Sequence, residues 1–209
     1  MMAARFDLQK GYELVKSILL RLNFESDINF QFISNASATD ESGERILSDF
    51  KYLQEHTLNG KLGIINPYNK ELTHLVYAGS DASLAPSSYE PCGLVVPCSM
   101  INGTIPIGRA VGGMIDIIND GENGFLVSGD WPSSENDPKF KTLVDGFIHK
   151  IKTVNKMMKH RESDLNPFIE SMMQQDLSWT PAANKYIELY REMVSRFERE
   201  GHYNSFGAF

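Results

Sequence analysis

A chain of 209 residues with a formal charge of −7 and a pI near 5.2 can bury the core of one large domain or two small ones. Its acidity excludes a broad basic face for nucleic acid, which needs clustered Lys and Arg. Two cysteines, Cys92 and Cys98, make no disulfide framework and fit reduced thiols of a cytosolic protein; no run approaches the ~20 apolar residues of a membrane span, and the first residues lack the apolar core of a secretion signal.

Along the chain, "YELVKSILLRL" after Lys10-Gly11 repeats Leu14, Ile18 and Leu22 at helical spacing. "NFQFIS" alternates as a strand does, "ESGERILSDFKYLQEH" presents Ile46, Leu47, Phe50 and Leu53 on one helical face, and "KLGII" reads as a short buried strand. "NKELTHLVYAGS" reads as a helix closed by Gly79, "DASLAPS" as a strand, and "GLVVPCSMING" as a helix ending at Asn102-Gly103. "TIPIG" and "GFLV" are expected strands on either side of a helix in "GGMIDIIND". This alternation predicts an α/β fold with a parallel sheet covered on both faces.

After a Pro, Ser and acid-rich loop, "SGDWPSSENDP", long helices are expected from Phe140 to His160 and from Thr180 to Arg199, with "HYNSFGAF" as a loosely held terminus. Only "MAARF" is available to form a strand before the first helix. The expectation is therefore either a very short first strand or a chain that begins inside a larger protein.

Four features suit a phosphorylated ligand. Arg5 and Lys10 sit between the first strand and the first helix, where a cation adds to the positive helix terminus. Glu90 ends another strand, and Gly93 is expected to open the next helix with N–H groups clear of any side chain. Taken singly, each has a plainer reading: Arg5 and Lys10 as solvated surface charges, Glu90 as a helix cap, Gly112-Gly113 and Asn102-Gly103 as turns, and Tyr68 as packing.

Taken in order, "RFDLQKG", "SDASLAPSSYEPCGL" and "NGTIPIGRAVGGMIDIINDGENGFLV" resemble the C-terminal domain of the glycogen synthase and starch synthase family, and "LSWTPAANKYIELYREMV" resembles that family's closing helix. The resemblance runs from about Arg5 to Val194. It implies a Rossmann-like doubly wound parallel sheet over about residues 1–160 with C-terminal helices over about 161–199, the C-terminal half of a two-domain GT-B glycosyltransferase. The family's half carries most of a nucleotide-sugar site.

By that resemblance, Arg5 and Lys10 pair with the diphosphate and Tyr68 stacks on the base, with Asn66 near the base edge through its backbone. Glu90 contacts the donor glucose, and Cys92, Gly93, Leu94 and Val95 supply backbone at sugar and phosphates. The implied reaction transfers glucose from ADP-glucose or UDP-glucose to the non-reducing end of an α-1,4-glucan with retention, in the cytoplasm or, for a plant protein, a plastid. No cofactor is implied, and no Asp-x-Asp pair is present for a metal. The glucan acceptor is expected on the other domain, so this chain alone is expected to be inactive; the alternatives are a transferase for another acceptor and a non-catalytic nucleotide-sugar module. Val95 replaces the usual Thr, Val111-Gly112-Gly113 the usual Thr-Gly-Gly, and Cys98 stands where many related transferases place a second Glu.

Overall fold

The computed structural model describes residues 1–25 and 27–199, so "HYNSFGAF" lies outside the described residues. They form two compact units, Met1–Gln174 and the segment from Gln175. In the first unit, strands β1 (Met2–Ala3), β2 (Phe32–Asn35), β3 (Leu62–Ile65), β4 (Ala82–Ala85), β5 (Ile105–Arg109) and β6 (Phe125–Val127) alternate with helices α1 (Tyr12–Asn23), α2 (Glu41–His56), α3 (Lys70–Ala78), α4 (Val95–Ile101) and α5 (Gly113–Ile117). Helix α6 (Pro138–Lys159), a π turn at Arg161–Leu165 and α7 (Asn166–Met173) follow.

All strand pairs are parallel, in the orders β1-β2-β3 and β4-β5-β6. Met1 stitches the two sets together: its carbonyl accepts from the Leu84 N–H at 2.9 Å and its amino group donates to the Ala82 carbonyl at 2.7 Å. The strands therefore run 3-2-1-4-5-6, the doubly wound order, and the order reverses between β1 and β4. In open sheets of this kind the ligand crevice lies at that reversal, beyond the carboxyl ends of the strands.

Side chains alternate across the sheet with a period of two. Leu84, Ile107, Phe125 and Val127 join the core beneath α1, α2 and α6, whereas Ala85 and Leu126 pack with Val96, Met100, Met114, Ile118 and Met172 of the α4, α5 and α7 side. Tyr12, at the start of α1, is fully buried in an aromatic group with Phe6 and Phe50, with ring centroids 4.5 Å and 5.3 Å away. Its hydroxyl meets the Ala4 carbonyl and Ser34 hydroxyl, each at 3.1 Å, tying the loop before α1 to the ends of β1 and β2. Each such aromatic contact contributes about 0.5–1.5 kcal/mol beyond its buried area.

Several boundaries depart from the sequence reading for identifiable reasons. β2 starts at Phe32, where its N–H meets the Lys61 carbonyl at 2.7 Å. α6 starts at Pro138, a residue suited to the first helical position, with Asp137 capping the Lys139 N–H at 3.0 Å. The helix expected from Gly93 begins instead at Val95, with Leu94 at its N-cap. Pro97 explains this: a helix from Gly93 would need the N–H that Pro97 lacks to reach the Gly93 carbonyl, which the Val96 N–H takes at 2.8 Å. In the second unit, α8 (Trp179–Arg199) starts where the Ser178 hydroxyl accepts from the Thr180 N–H at 3.2 Å.

Candidate functional site

The loops leaving β1 and β4 are zipped together at the reversal point. The Asp7 carboxylate accepts from the Lys10 N–H at 2.9 Å, rounding the chain through a 3-10 turn at Leu8–Lys10 into Gly11. Gly11 has φ 74°, and a Cβ there would lie 2.3 Å from the Pro86 carbonyl oxygen, so only glycine admits this approach. Beyond it the Ser88 N–H donates to the Gln9 carbonyl at 2.8 Å, and the Gln9 side-chain amide donates to the Tyr89 carbonyl at 2.8 Å.

This seam brings Lys10 and Glu90 together. Lys10 Nζ lies 2.6 Å from Glu90 Oε2, with side chains 18% and 12% exposed, and the Ser87 hydroxyl donates to the same oxygen at 3.2 Å. Glu90 thus serves as partner to Lys10 rather than as the cap of α4. Partial burial sharpens the pair: removing one partner strands the other charge in a site where water cannot fully solvate it. Arg5 is more open, with its side chain 56% exposed and its guanidinium 3.1 Å from Asp7.

A cleft of about 320 Å³ lies against this pair, lined by Arg5, Lys10, Glu90, Cys92, Gly93, Leu94 and Val95 together with residues of β1 and β4. Among the described residues, no hydrogen bond takes the N–H groups of Gly93, Leu94 or Val95. The segment below the cleft is held by the next loop. The Gly113 N–H donates to the Glu90 carbonyl at 3.0 Å, and a Cβ on Gly113 would stand 2.4 Å from the Cys92 carbonyl oxygen. The Gly112-Gly113 pair is therefore more than a turn: it lets β5 and α5 lie directly against the backbone that carries Glu90 and Cys92.

Asn66 and Tyr68 occupy the same edge of the sheet but do not line this cleft. They follow β3, two strands from β1, a displacement of roughly 10 Å at the spacing of paired strands. Asn66 donates from its side chain to the Ala36 carbonyl at 3.1 Å. The Tyr68 N–H donates to the Ser37 hydroxyl at 2.8 Å, its phenol meets the Thr73 hydroxyl at 2.9 Å, and the residue remains 45% exposed. Buried Asn35 fixes this loop, donating to the Asn69 carbonyl and accepting from the Asn69 N–H, both at 2.9 Å.

Sequence reasoning missed Arg109. It ends β5, one residue beyond the expected "TIPIG" strand, is only 6% exposed, and donates to the carbonyls of Ser87, Ser88 and Gly129. Burial lowers its pKa from the ordinary arginine value, and the nearby Asp130 charge opposes that shift. A lone cation closing an apolar strand was the available signal. Asp7, Gln9 and Ser87 carried none, because short polar residues in a loop look alike until their partners are known.

The doubly wound parallel sheet is the fold of a GT-B glycosyltransferase domain, as in the solved structures this chain is similar to. Residues 1–136 match the family described as "Glycosyl transferases group 1". The chain belongs to that family. It is 33% identical over 196 residues to a glycogen synthase of Thermodesulfovibrio yellowstonii, covering 94% of this chain and 35% of that protein. A glycogen synthase of Mycoplasma mobile is likewise 33% identical over 199 residues, covering 90% and 37%. Among solved structures, the catalytic domain of starch synthase IV from Arabidopsis thaliana, bound to ADP and acarbose, is similar with a TM-score of 0.69 and 27% identity over 93% of this chain and 38% of that one. The chain thus spans little more than a third of the length of these relatives.

Proposed function

We propose that this chain is the donor-binding domain of a retaining glucosyltransferase of the glycogen and starch synthase type. It would take ADP-glucose or UDP-glucose and deliver glucose to the non-reducing end of an α-1,4-glucan. The observation that carries the reading is the Lys10–Glu90 pair at 2.6 Å beside a cleft at the switch point of the sheet. The names of the matched relatives and the ADP in the starch synthase IV structure support it.

In this reading the diphosphate lies between the Lys10 ammonium, the Arg5 guanidinium and the N–H groups of Gly93, Leu94 and Val95. Glucose faces Glu90 and the backbone at Cys92, and the base extends along the sheet edge toward Tyr68, with Asn66 alongside. As the bond between glucose and the diphosphate breaks, negative charge grows on the leaving phosphate. Arg5 and Lys10 then stabilise charge that the ground state carries less of, which is the condition for lowering the barrier. Glu90 orients the sugar by accepting from its hydroxyls, and in this reading no cofactor takes part.

Most of the length of the matched relatives lies outside the part this chain covers, so acceptor binding and transfer are assigned to the remainder. Correct positioning of two reactants supplies ~7–11 kcal/mol of a barrier, and one wall of a cleft cannot provide it. Among the described residues no helix is long and apolar enough to cross a membrane, and we place the activity in the cytoplasm, as for bacterial glycogen synthesis, or in a plastid for a plant protein. The test is calorimetric titration of the chain with ADP, UDP and their glucose conjugates, beside a glycogen-incorporation assay. Binding of a nucleotide sugar without incorporation is expected; absence of nucleotide binding at millimolar concentration would sink the reading.

A further inference from the structure

We propose that Arg109 is the positioning residue of this site, holding the Ser87–Glu90 segment at the height where Glu90 meets Lys10 and coupling it to the Gly129–Trp131 loop. The proposal rests on the assignment of Glu90 to the donor sugar. Arg109 Nη1 donates to the Ser88 carbonyl at 2.7 Å and to the Ser87 carbonyl at 3.3 Å, while Nε and Nη2 share the Gly129 carbonyl at 3.2 and 3.0 Å. The guanidinium also lies 5.4 Å from the centre of the Trp131 ring.

A buried cation is costly unless its surroundings use it, and no ion pair between Arg109 and a carboxylate occurs among the described residues. What uses it is irregular backbone. The three carbonyls belong to loops leaving β4 and β6, and no neighbouring strand serves them. A planar fork with five donors reaches all three at once, and a lysine ammonium does not.

The segment so held is the one bearing the carboxylate. Ser88 is fixed on one side through its carbonyl by Arg109 and on the other through its N–H, which donates to Gln9. Two residues on, the Glu90 carbonyl takes the Gly113 N–H, and the Ser87 hydroxyl reaches the Glu90 carboxylate. Withdrawing Arg109 removes the lower support of this bridge and leaves the β1–β3 half of the edge untouched. Movement of the Gly129–Trp131 loop is transmitted to Glu90 by the same guanidinium.

The test compares the full chain with Arg109→Lys by amide hydrogen exchange and by titration. The Ser88 and Gly113 amides are expected to exchange at least about tenfold faster, the scale of one lost charged hydrogen bond. The Phe6 and Ala36 amides, bonded to Ser37 and Ile65 on the other half of the edge, should be unchanged. Affinity for the nucleoside diphosphate should stay within about twofold while the extra affinity conferred by glucose is lost, since it is the carboxylate and not the phosphate cation that shifts. Unchanged protection at Ser88 and Gly113 overturns the proposal, as does an equal acceleration at Phe6 and Ala36, which would mark a general stabilising role. If the unaltered chain binds no nucleotide, the functional reading falls, and the exchange pattern alone decides the role of Arg109. Trp131→Leu, which withdraws the ring beside the guanidinium and leaves its hydrogen bonds to the three carbonyls in place, should accelerate Ser88 exchange by a smaller factor and serves as the readout if Arg109→Lys does not fold.

Discussion

Lys10 and Glu90, 80 residues apart in the chain, meet at 2.6 Å across the gap between β1 and β4. A diphosphate held by Lys10 would share its charge with the carboxylate. Lys10→Met is expected to weaken nucleoside diphosphate binding by about tenfold or more, the loss of one charge-assisted contact. Glu90→Gln should leave that affinity intact or slightly raise it, because Lys10 is released, while abolishing the gain from attached glucose. Titration with the diphosphate and its glucose conjugate measures both; equal losses for the two ligands in Glu90→Gln would remove the carboxylate from the sugar.

Gly113→Ala tests the backbone approach below the cleft. Its Cβ would stand 2.4 Å from the Cys92 carbonyl oxygen and 2.7 Å from the carbonyl carbon, so backbone rather than a flexible side chain must give way. Overpacking of this kind costs about 1–3 kcal/mol, and the displaced atoms are those beside Glu90. A lowered melting temperature with lost donor binding is expected. Gly63→Ala in β3, whose nearest neighbour is 3.7 Å away, is the control and should change neither.

The strands and the stripes of α1 and α2 were legible because burial acts on residue type directly: apolar side chains at fixed spacing have one way to leave water. Gly79 was likewise readable as a stop, and its N–H does close α3 on the Leu75 carbonyl at 2.9 Å. The helix after Glu90 was misplaced by two residues because a hydrophobic run conceals the donor missing at Pro97, although the proline itself was in view. Of the site, the types of Arg5, Lys10 and Glu90 were visible, but the partnership of Lys10 with Glu90 was not. It depends on which strands become neighbours, and the order 3-2-1-4-5-6 is a property of the whole sheet. Arg109 and Asn35 stayed hidden for a related reason, since their partners are backbone atoms, which every residue carries.

Glu13 supplies a pH test of the packing around α1. Burial raises its pKa, helped by the charges of Glu135 and Asp49 and opposed by its own backbone N–H and by Lys16. Folding therefore favours its protonated form. The associated stability is fully present below the ordinary glutamate value near ~4.3 and is lost as pH rises through the higher folded-state value. Glu13→Gln removes that dependence, so the variant should gain melting temperature relative to the parent as pH increases from acid to neutral. A constant difference across that range would show that Glu13 titrates alike in both states.

Tyr68 offers the test that separates base stacking from packing. The ring is 45% exposed on the edge beyond β3, with its phenol meeting Thr73 at 2.9 Å, so truncation leaves no large cavity and should alter the melting temperature little. If a base lies on it, Tyr68→Ala should weaken nucleotide binding by roughly 1–3 kcal/mol, the scale for bases stacked on aromatic side chains. Because the ring stands about two strand spacings from Lys10, the phosphate end should not sense the change. Inorganic pyrophosphate, which has no base, is therefore expected to bind the variant and the parent equally, while ADP and UDP lose affinity. A variant that binds all three ligands as the parent does would leave the base elsewhere on the edge, and one that loses pyrophosphate as well would mean that Tyr68 shapes the phosphate site itself.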